Sequence, residues 1–168
     1  MMTKVDSPPK VSDFMCSHVQ TVTSDMKLES VVQFLLTHKL SNVPVVTHEP
    51  SGKPRLVGFI SERDCLAALT QESFFGSPAP VQTAGTIMRG SPVCVTAEND
   101  LFSIASIFIN HQYRHLPVTE DGILLGIISR RDVLKGIAEY YQKYGADKLK
   151  ESFHPDTHLL MYHRFIKR

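Results

Sequence analysis

The sequence predicts an α+β fold: two β-α-β-β-α units packed about an internal pseudo-twofold, followed by a C-terminal extension. Three observations lead there. The run Gly58-Phe-Ile-Ser61-Glu-Arg63-Asp64 returns 68 residues later as Gly126-Ile-Ile-Ser129-Arg-Arg131-Asp132. Met15, Val22, Thr23, Leu28, Ser30, His38, Pro44 and Val45 return at a common spacing of 73 as Met88, Val95, Thr96, Leu101, Ser103, His111, Pro117 and Val118. Each copy also carries the same order of apolar patterns: a short β-branched run, a helical period, two more short runs and a second helical period. Two copies are too few for a solenoid, so a fused pair of like units is expected. The copies span 8–72 and 83–144, with a linker at 73–82 and the extension at 145–168. Gly76, Pro78 and Pro80 mark the linker.

In the first copy, Val19 to Thr23 reads as a short strand. Leu28, Val31, Val32, Leu35 and Leu36 recur at helical spacing and predict an amphipathic helix ending near His38. Asn42 to Val46 is short and β-branched, and Pro44 marks it as an edge or a strand start. Leu56 to Ile60 is the next strand and Arg63 to Leu69 the next helix. The second copy repeats the series at Val93–Val95, Leu101–Ile109, Leu116–Val118, Leu124–Ile128 and Arg131 to about Tyr144. The spacing falls from 73 to 68 because the first copy has five extra residues within His48 to Pro54. That stretch is rich in turn formers, so the insertion belongs in a loop, where length costs little. The second copy has Glu120-Asp121-Gly122 there, a tight hairpin signal. Leu159, Leu160, Met161, Tyr162, Phe165 and Ile166 predict a short terminal helix that docks on its own domain or on a partner subunit.

Composition excludes several function classes. The net charge of +1 provides no field to recruit nucleic acid or anionic lipid. No apolar run approaches the ~20 residues that span a bilayer. The N-terminus lacks a secretory apolar core. Cys16, Cys65 and Cys94 are odd in number and unpaired in spacing, which suits the reducing cytoplasm; buried small hydrophobes are their expected role. His154 and His158 flank Pro155 without acidic or cysteine ligands beside them, so no metal is expected. There is no Gly-rich nucleotide loop, nucleophile elbow or convincing carboxylate pair, so an enzyme is not expected and no cofactor is required.

The chemistry lies where a strand ends at a serine and passes directly into a helix. The first backbone amides of a helix lack internal partners and suit an anion such as phosphate. Ser61 and Ser129 add hydroxyls, and Arg63 and Arg131 add planar cations. Asp64 and Asp132 would repel phosphate, but a carboxylate accepts from two neighbouring hydroxyls, as a ribose presents. Ser-x-x-Asp is equally an acceptable capping-box variant, in which the pair only starts a helix. The two readings are compatible at the serine. Capping alone does not require the same strand, glycine and arginine in both copies.

With these residues in place, the chain resembles a tandem cystathionine-β-synthase (CBS) domain pair, or Bateman module, over about residues 8 to 142. The likeness rests on Met15 and Met88, Val22-Thr23 and Val95-Thr96, His38 to Val45, His111 to Val118, and the two Gly-to-Asp runs. The resemblance implies a regulatory module, standing alone here, that binds an adenine nucleotide (AMP, ADP or ATP) or an adenosyl compound in clefts between repeats. One site would use Ser61, Arg63 and Asp64 with Thr83, Met88, Arg114 and Leu116 of the stretch Tyr113 to Leu116. The other would use Ser129, Arg131 and Asp132 with Met15, Leu40, Ser41 and Val43. Lys10 stands where the family often has threonine, and would either reach phosphate or obstruct the pocket. Arg130 stands opposite Glu62, so the second site favours a more anionic ligand and the two sites are unequal. A homodimer and an unidentified effector protein are the implied partners, with Tyr140, Tyr141 and Tyr144 packing at an interface. The competing reading is a ligand-free interaction and dimerisation module. His38 and His111, near helix ends, are expected to meet the last helical carbonyls.

Overall fold

The computed structural model describes residues 7–75 and 81–144, the side chains of 71–75 excepted. The extension 145–168, with its expected terminal helix and His154 and His158, lies outside the described residues, as does the middle of the linker. The described chain forms two compact units.

The first comprises residues 19–75, 81–92 and 121–124. Strand β1 (Val22–Thr23) pairs in parallel with β2 (Asn42–His48), Val22 lying opposite Val45. A parallel pair needs a crossover connection, and helix α1 (Leu28–His38) provides it. Pro44 lies inside β2, just ahead of the residues that β1 pairs, so the strand tolerates it. The five extra residues of the first copy, 49–53, form the turn between β2 and β3 (Pro54–Ser61). Glu49 N donates to Lys53 O at 3.0 Å, and Gly52 takes a φ of 79°. Helix α2 (Glu62–Phe75) follows β3 without a connecting residue. Leu28, Val31 and Leu35, spaced along one face of α1, meet Val43, Val45, Ile60, Cys65, Ala68 and Ala84 in a single core.

The second unit comprises residues 7–18, 93–120 and 125–144. Helix α4 (Leu101–Asn110) begins at Asp100, whose Oδ1 accepts from Phe102 N and Ser103 N, both at 3.0 Å. Ser103, buried at 3 % exposure, donates its hydroxyl to Asp100 Oδ2 at 2.6 Å and so is satisfied. Strand β5 (His115–Glu120) lies beside β6 (Ile123–Ser129), joined through Asp121 and Gly122. Both turn residues have positive φ (50° and 82°), the two-residue hairpin expected of Asp-Gly. Helix α5 (Arg130–Tyr144) follows β6 directly. Its Tyr140 packs edge-on against Phe102 of α4, with ring centroids 5.8 Å apart, inside this unit. The strand expected at Val93–Val95 reduces to one parallel bridge, Val95 to Val118.

Neither unit is a contiguous stretch of chain, because the lead-in segments are exchanged. Helix α3 (Ala84–Ile87) and strand β4 (Arg89–Gly90), which open the second copy, belong to the first unit. The N-terminal segment, with a 3-10 turn at Val11–Asp13, belongs to the second. Equivalent bonds hold both. Leu28 N, the first amide of α1, donates to Gln82 O at 3.0 Å, and Leu101 N, the first of α4, donates to Pro9 O at 2.9 Å. These orphan helix donors are satisfied by backbone from the other copy's lead-in. Ala84 and Val11, equivalent in the repeat, are both 0 % exposed in their respective cores.

Candidate functional site: twin serine–aspartate corners

The two strand-to-helix junctions have nearly the same bonding. At the β3–α2 corner, Ser61 N and Ser61 Oγ donate to Asp64 Oδ2 at 2.9 and 2.6 Å, and Asp64 N donates back to Ser61 Oγ at 3.4 Å. At the β6–α5 corner the matching distances are 2.8, 2.6 and 3.3 Å for Ser129 and Asp132. Both are capping boxes with aspartate in the glutamate role, so the capping reading holds in the structure. It uses one carboxylate oxygen, Oδ2, of each acid. It also commits the serine proton to the aspartate, which leaves that hydroxyl only as an acceptor. The amides of Glu62 and Arg130 donate to Ser41 O (3.0 Å) and Arg114 O (3.3 Å). The amides of Arg63 and Arg131 have no acceptor outside their own helices among the described residues.

The glycine three residues before each serine has a steric reason. A Cβ on Gly58 would collide with the Sδ and Cγ of Met88, and one on Gly126 would lie 2.9 Å from both Cys16 O and Met15 Sδ. The exchanged lead-in passes over the strand at that point. Met88 therefore packs against β3 at Gly58, and Met15 against β6 at Gly126, in the strands that end at the two corners.

The remaining expected site residues divide between the units. Thr83 lies with Ser61, Arg63, Asp64 and Met88, whereas Arg114 and Leu116 belong to the other unit. Lys10 and Met15 lie with Ser129, Arg130, Arg131 and Asp132, whereas Ser41 and Val43 belong to the other. Val43 and Leu116 are core side chains at 0 and 1 % exposure. Ser41 Oγ accepts from Asn42 Nδ2 at 3.3 Å. Arg63, Arg131 and Arg114 are exposed. Arg130 Nε donates to Tyr113 O at 2.6 Å, which pins that guanidinium to a turn. Lys10 Nζ pairs with Glu98, a partner that raises the ammonium pKa. His38 Nδ1 lies 2.9 Å from Phe34 O, as expected of a histidine at a helix end. His111 departs from that expectation: its backbone N donates to Ile107 O, while its ring lies against Tyr113, centroids 5.5 Å apart. Among the described residues no three His, Cys, Asp or Glu side chains gather as metal ligands, and no helix is long and apolar enough to cross a membrane.

One residue missed by the sequence reading distinguishes the corners. Arg89 Nε donates to Asp64 Oδ1 at 3.0 Å, engaging the oxygen that capping leaves over. Its equivalent in the other lead-in is Cys16. The mismatch directly after the matched pair Met15 and Met88 was the available signal. Burial opposes ionisation of Asp64, but bonds from Ser61 and the Arg89 cation outweigh it and hold the carboxyl below its ordinary range. Burial also lowers the pKa of His115, with Asp132 opposing that shift and Arg114 adding to it.

The CBS domain family model matches residues 11–71 and 84–139. The chain belongs to the CBS domain family. Its two CBS domains form a tandem pair, in the mixed α/β fold of solved CBS-pair proteins. It is 26% identical over 133 residues to an uncharacterized 17.7 kDa protein of Acidianus ambivalens, covering 79% of this chain and 75% of that one. It is 33% identical over 134 residues to H(+)/Cl(-) exchange transporter 5 of Cavia porcellus, covering 68% of this chain but only 18% of the transporter. The CBS-pair structure of CBSX2 in complex with AMP superposes with a TM-score of 0.64 at 25% identity, covering 77% of this chain and 96% of CBSX2. Every residue that carried the sequence resemblance lies within the matched spans, whereas Lys10 and Thr83, expected at the two sites, lie just outside them.

Proposed function

We propose that this CBS pair is a regulatory module that binds an adenine nucleotide or adenosyl compound at its serine–aspartate corners. The carboxylates receive the ribose diol. The first-turn amides of Arg63 and Arg131, with their guanidinium groups, face the phosphate. The carrying observation is the twin corner itself: each holds a half-buried aspartate in a defined rotamer with one oxygen directed away from the cap. The AMP-bound CBSX2 supports the choice of ligand class. The output is regulatory rather than catalytic, passing through a dimer or an effector protein. A ligand biases such an equilibrium only by its differential affinity for the two states.

Calorimetry with AMP, ADP, ATP and S-adenosylmethionine tests this reading. Binding that weakens at least tenfold in Asp132→Asn supports it, and no binding at millimolar ligand to folded protein overturns it. The ligand-free interaction reading is favoured by one observation, that both aspartates already serve as caps. On that reading Asp64→Asn and Asp132→Asn change stability by about 1 kcal/mol or less and alter nothing else.

A further inference from the structure

The two corners have the same cap but differ at the second carboxylate oxygen. Asp64 Oδ1 accepts from Arg89 Nε at 3.0 Å. Arg89 reaches it because β4 places that residue opposite Phe59 on β3, two residues before Ser61. In the second unit the equivalent backbone position, opposite Ile127, is held by Cys16. Cys16 is neutral in place of a cation, and its Sγ contacts His18 O at 3.5 Å. Asp132 has no ion pair among the described residues. The Arg89 side chain is 66 % exposed, whereas that of Asp64 is 13 % exposed. The cation therefore covers the acid from its solvent side, and it can swing away without disturbing the core.

A ribose diol needs the oxygen that Arg89 holds. A neutral nucleoside offers nothing to the displaced guanidinium, whereas a phosphate does. We propose that Arg89 is a specificity-determining residue that masks the Asp64 corner, so that the Asp132 corner takes an adenosine ligand first. The Asp64 corner then discriminates in favour of phosphorylated ligands over the bare nucleoside. This inference rests on the nucleotide reading above and adds to it an order of filling and a charge requirement.

The test is calorimetry of the full chain with AMP and with adenosine. Two binding steps are expected, the tighter one lost in Asp132→Asn. In the Asp132→Asn background, Arg89→Gln is expected to tighten adenosine binding about fivefold, the factor matching an exposed ion pair at the upper end of its range. AMP should gain less, because it loses a phosphate partner. Arg89→Lys, which keeps the cation, should leave adenosine binding weak. Arg89→Gln on the otherwise native chain, where the weaker step should tighten, gives the same reading without altering Asp132. If AMP binds but Arg89→Gln leaves or weakens adenosine binding at the Asp64 corner, the mask is wrong and the nucleotide reading survives. If the native chain binds neither probe at millimolar concentration, both fall.

Discussion

Asp64 and Asp132 are asked to do two things, and their two oxygens divide the work. Oδ2 closes a capping box, and Oδ1 is left to a partner, which for Asp64 is Arg89. Asp64 and His115 set the pH response. The folded-state pKa of Asp64 lies below its ordinary 3.8, so its contribution to stability is complete above that value and is lost as pH falls through the lower, folded value. The folded-state pKa of His115 lies below its ordinary 6.5, because burial disfavours the imidazolium. The fold prefers the neutral ring, so this contribution is full above 6.5 and declines as pH falls from there. Denaturation midpoints measured from pH 7.5 down to 5 should therefore decrease, and His115→Gln should flatten that limb. A native limb as flat as the variant's would contradict the placement of His115. The cysteines also separate at this scale. Cys65 is buried, and burial raises the pKa of Cys65 and Cys94, as suits packing residues. Cys16 is exposed, contrary to the buried role expected of all three.

Among the elements, the strand-to-helix junctions depend on how closely the lead-in approaches. At Gly126 the obstacle to a side chain includes the backbone carbonyl of Cys16, which cannot rotate away. At Gly58 it is the side chain of Met88, whose Sδ and Cγ can rotate away although its Cβ, 3.1 Å off, cannot. Gly126→Ala should therefore destabilise the protein by about 1–3 kcal/mol, the usual range for overpacking, and Gly58→Ala by less. Equilibrium unfolding in urea measures both. Equal losses would mean that the backbone approach at Cys16 is not the constraint. The helices themselves begin where their caps place them. Asp100 caps α4 with its side chain, whereas α1 has Lys27 at that position and relies on the Gln82 carbonyl. α1 ends at Lys39 with a φ of 54°, and Leu40 N bonds to Leu35 O, a left-handed stop without glycine.

For the whole molecule, exchange of the lead-ins means that each core is completed by residues from the other copy. Val11 is fully buried among Leu101, Ile104, Leu116 and Ile128, although about 90 residues separate it from the first of these. Val11→Ala should cost about 2 kcal/mol, because two methyl groups leave a packed site. A shift of the urea midpoint reports it, and an unchanged midpoint would remove the N-terminal segment from that core. The exchange also has a functional consequence. Met15 and Met88, and the Arg89–Cys16 difference with them, lie against the strands that end at the corners on segments distant in sequence, so the two corners can diverge through their lead-ins while the Gly-to-Asp motif stays intact.

The repeat, the loop insertion at 49–53, the Asp-Gly hairpin, the direct passage from strand to helix and the serine–aspartate pairing were all legible in the sequence. Each is a local or periodic property of contiguous chain: turn residues dictate backbone angles, spacing dictates which face is apolar, and a Ser-x-x-Asp run can close on itself. The sequence by itself thus determined two like units with a capped corner apiece. Only the tertiary structure decided which lead-in crosses which strand, and hence that Arg89 meets Asp64 from 25 residues away while a cysteine occupies the equivalent place beside Asp132. Strand register sets those encounters, and register emerges when the cores of both units close, beyond the reach of any local pattern.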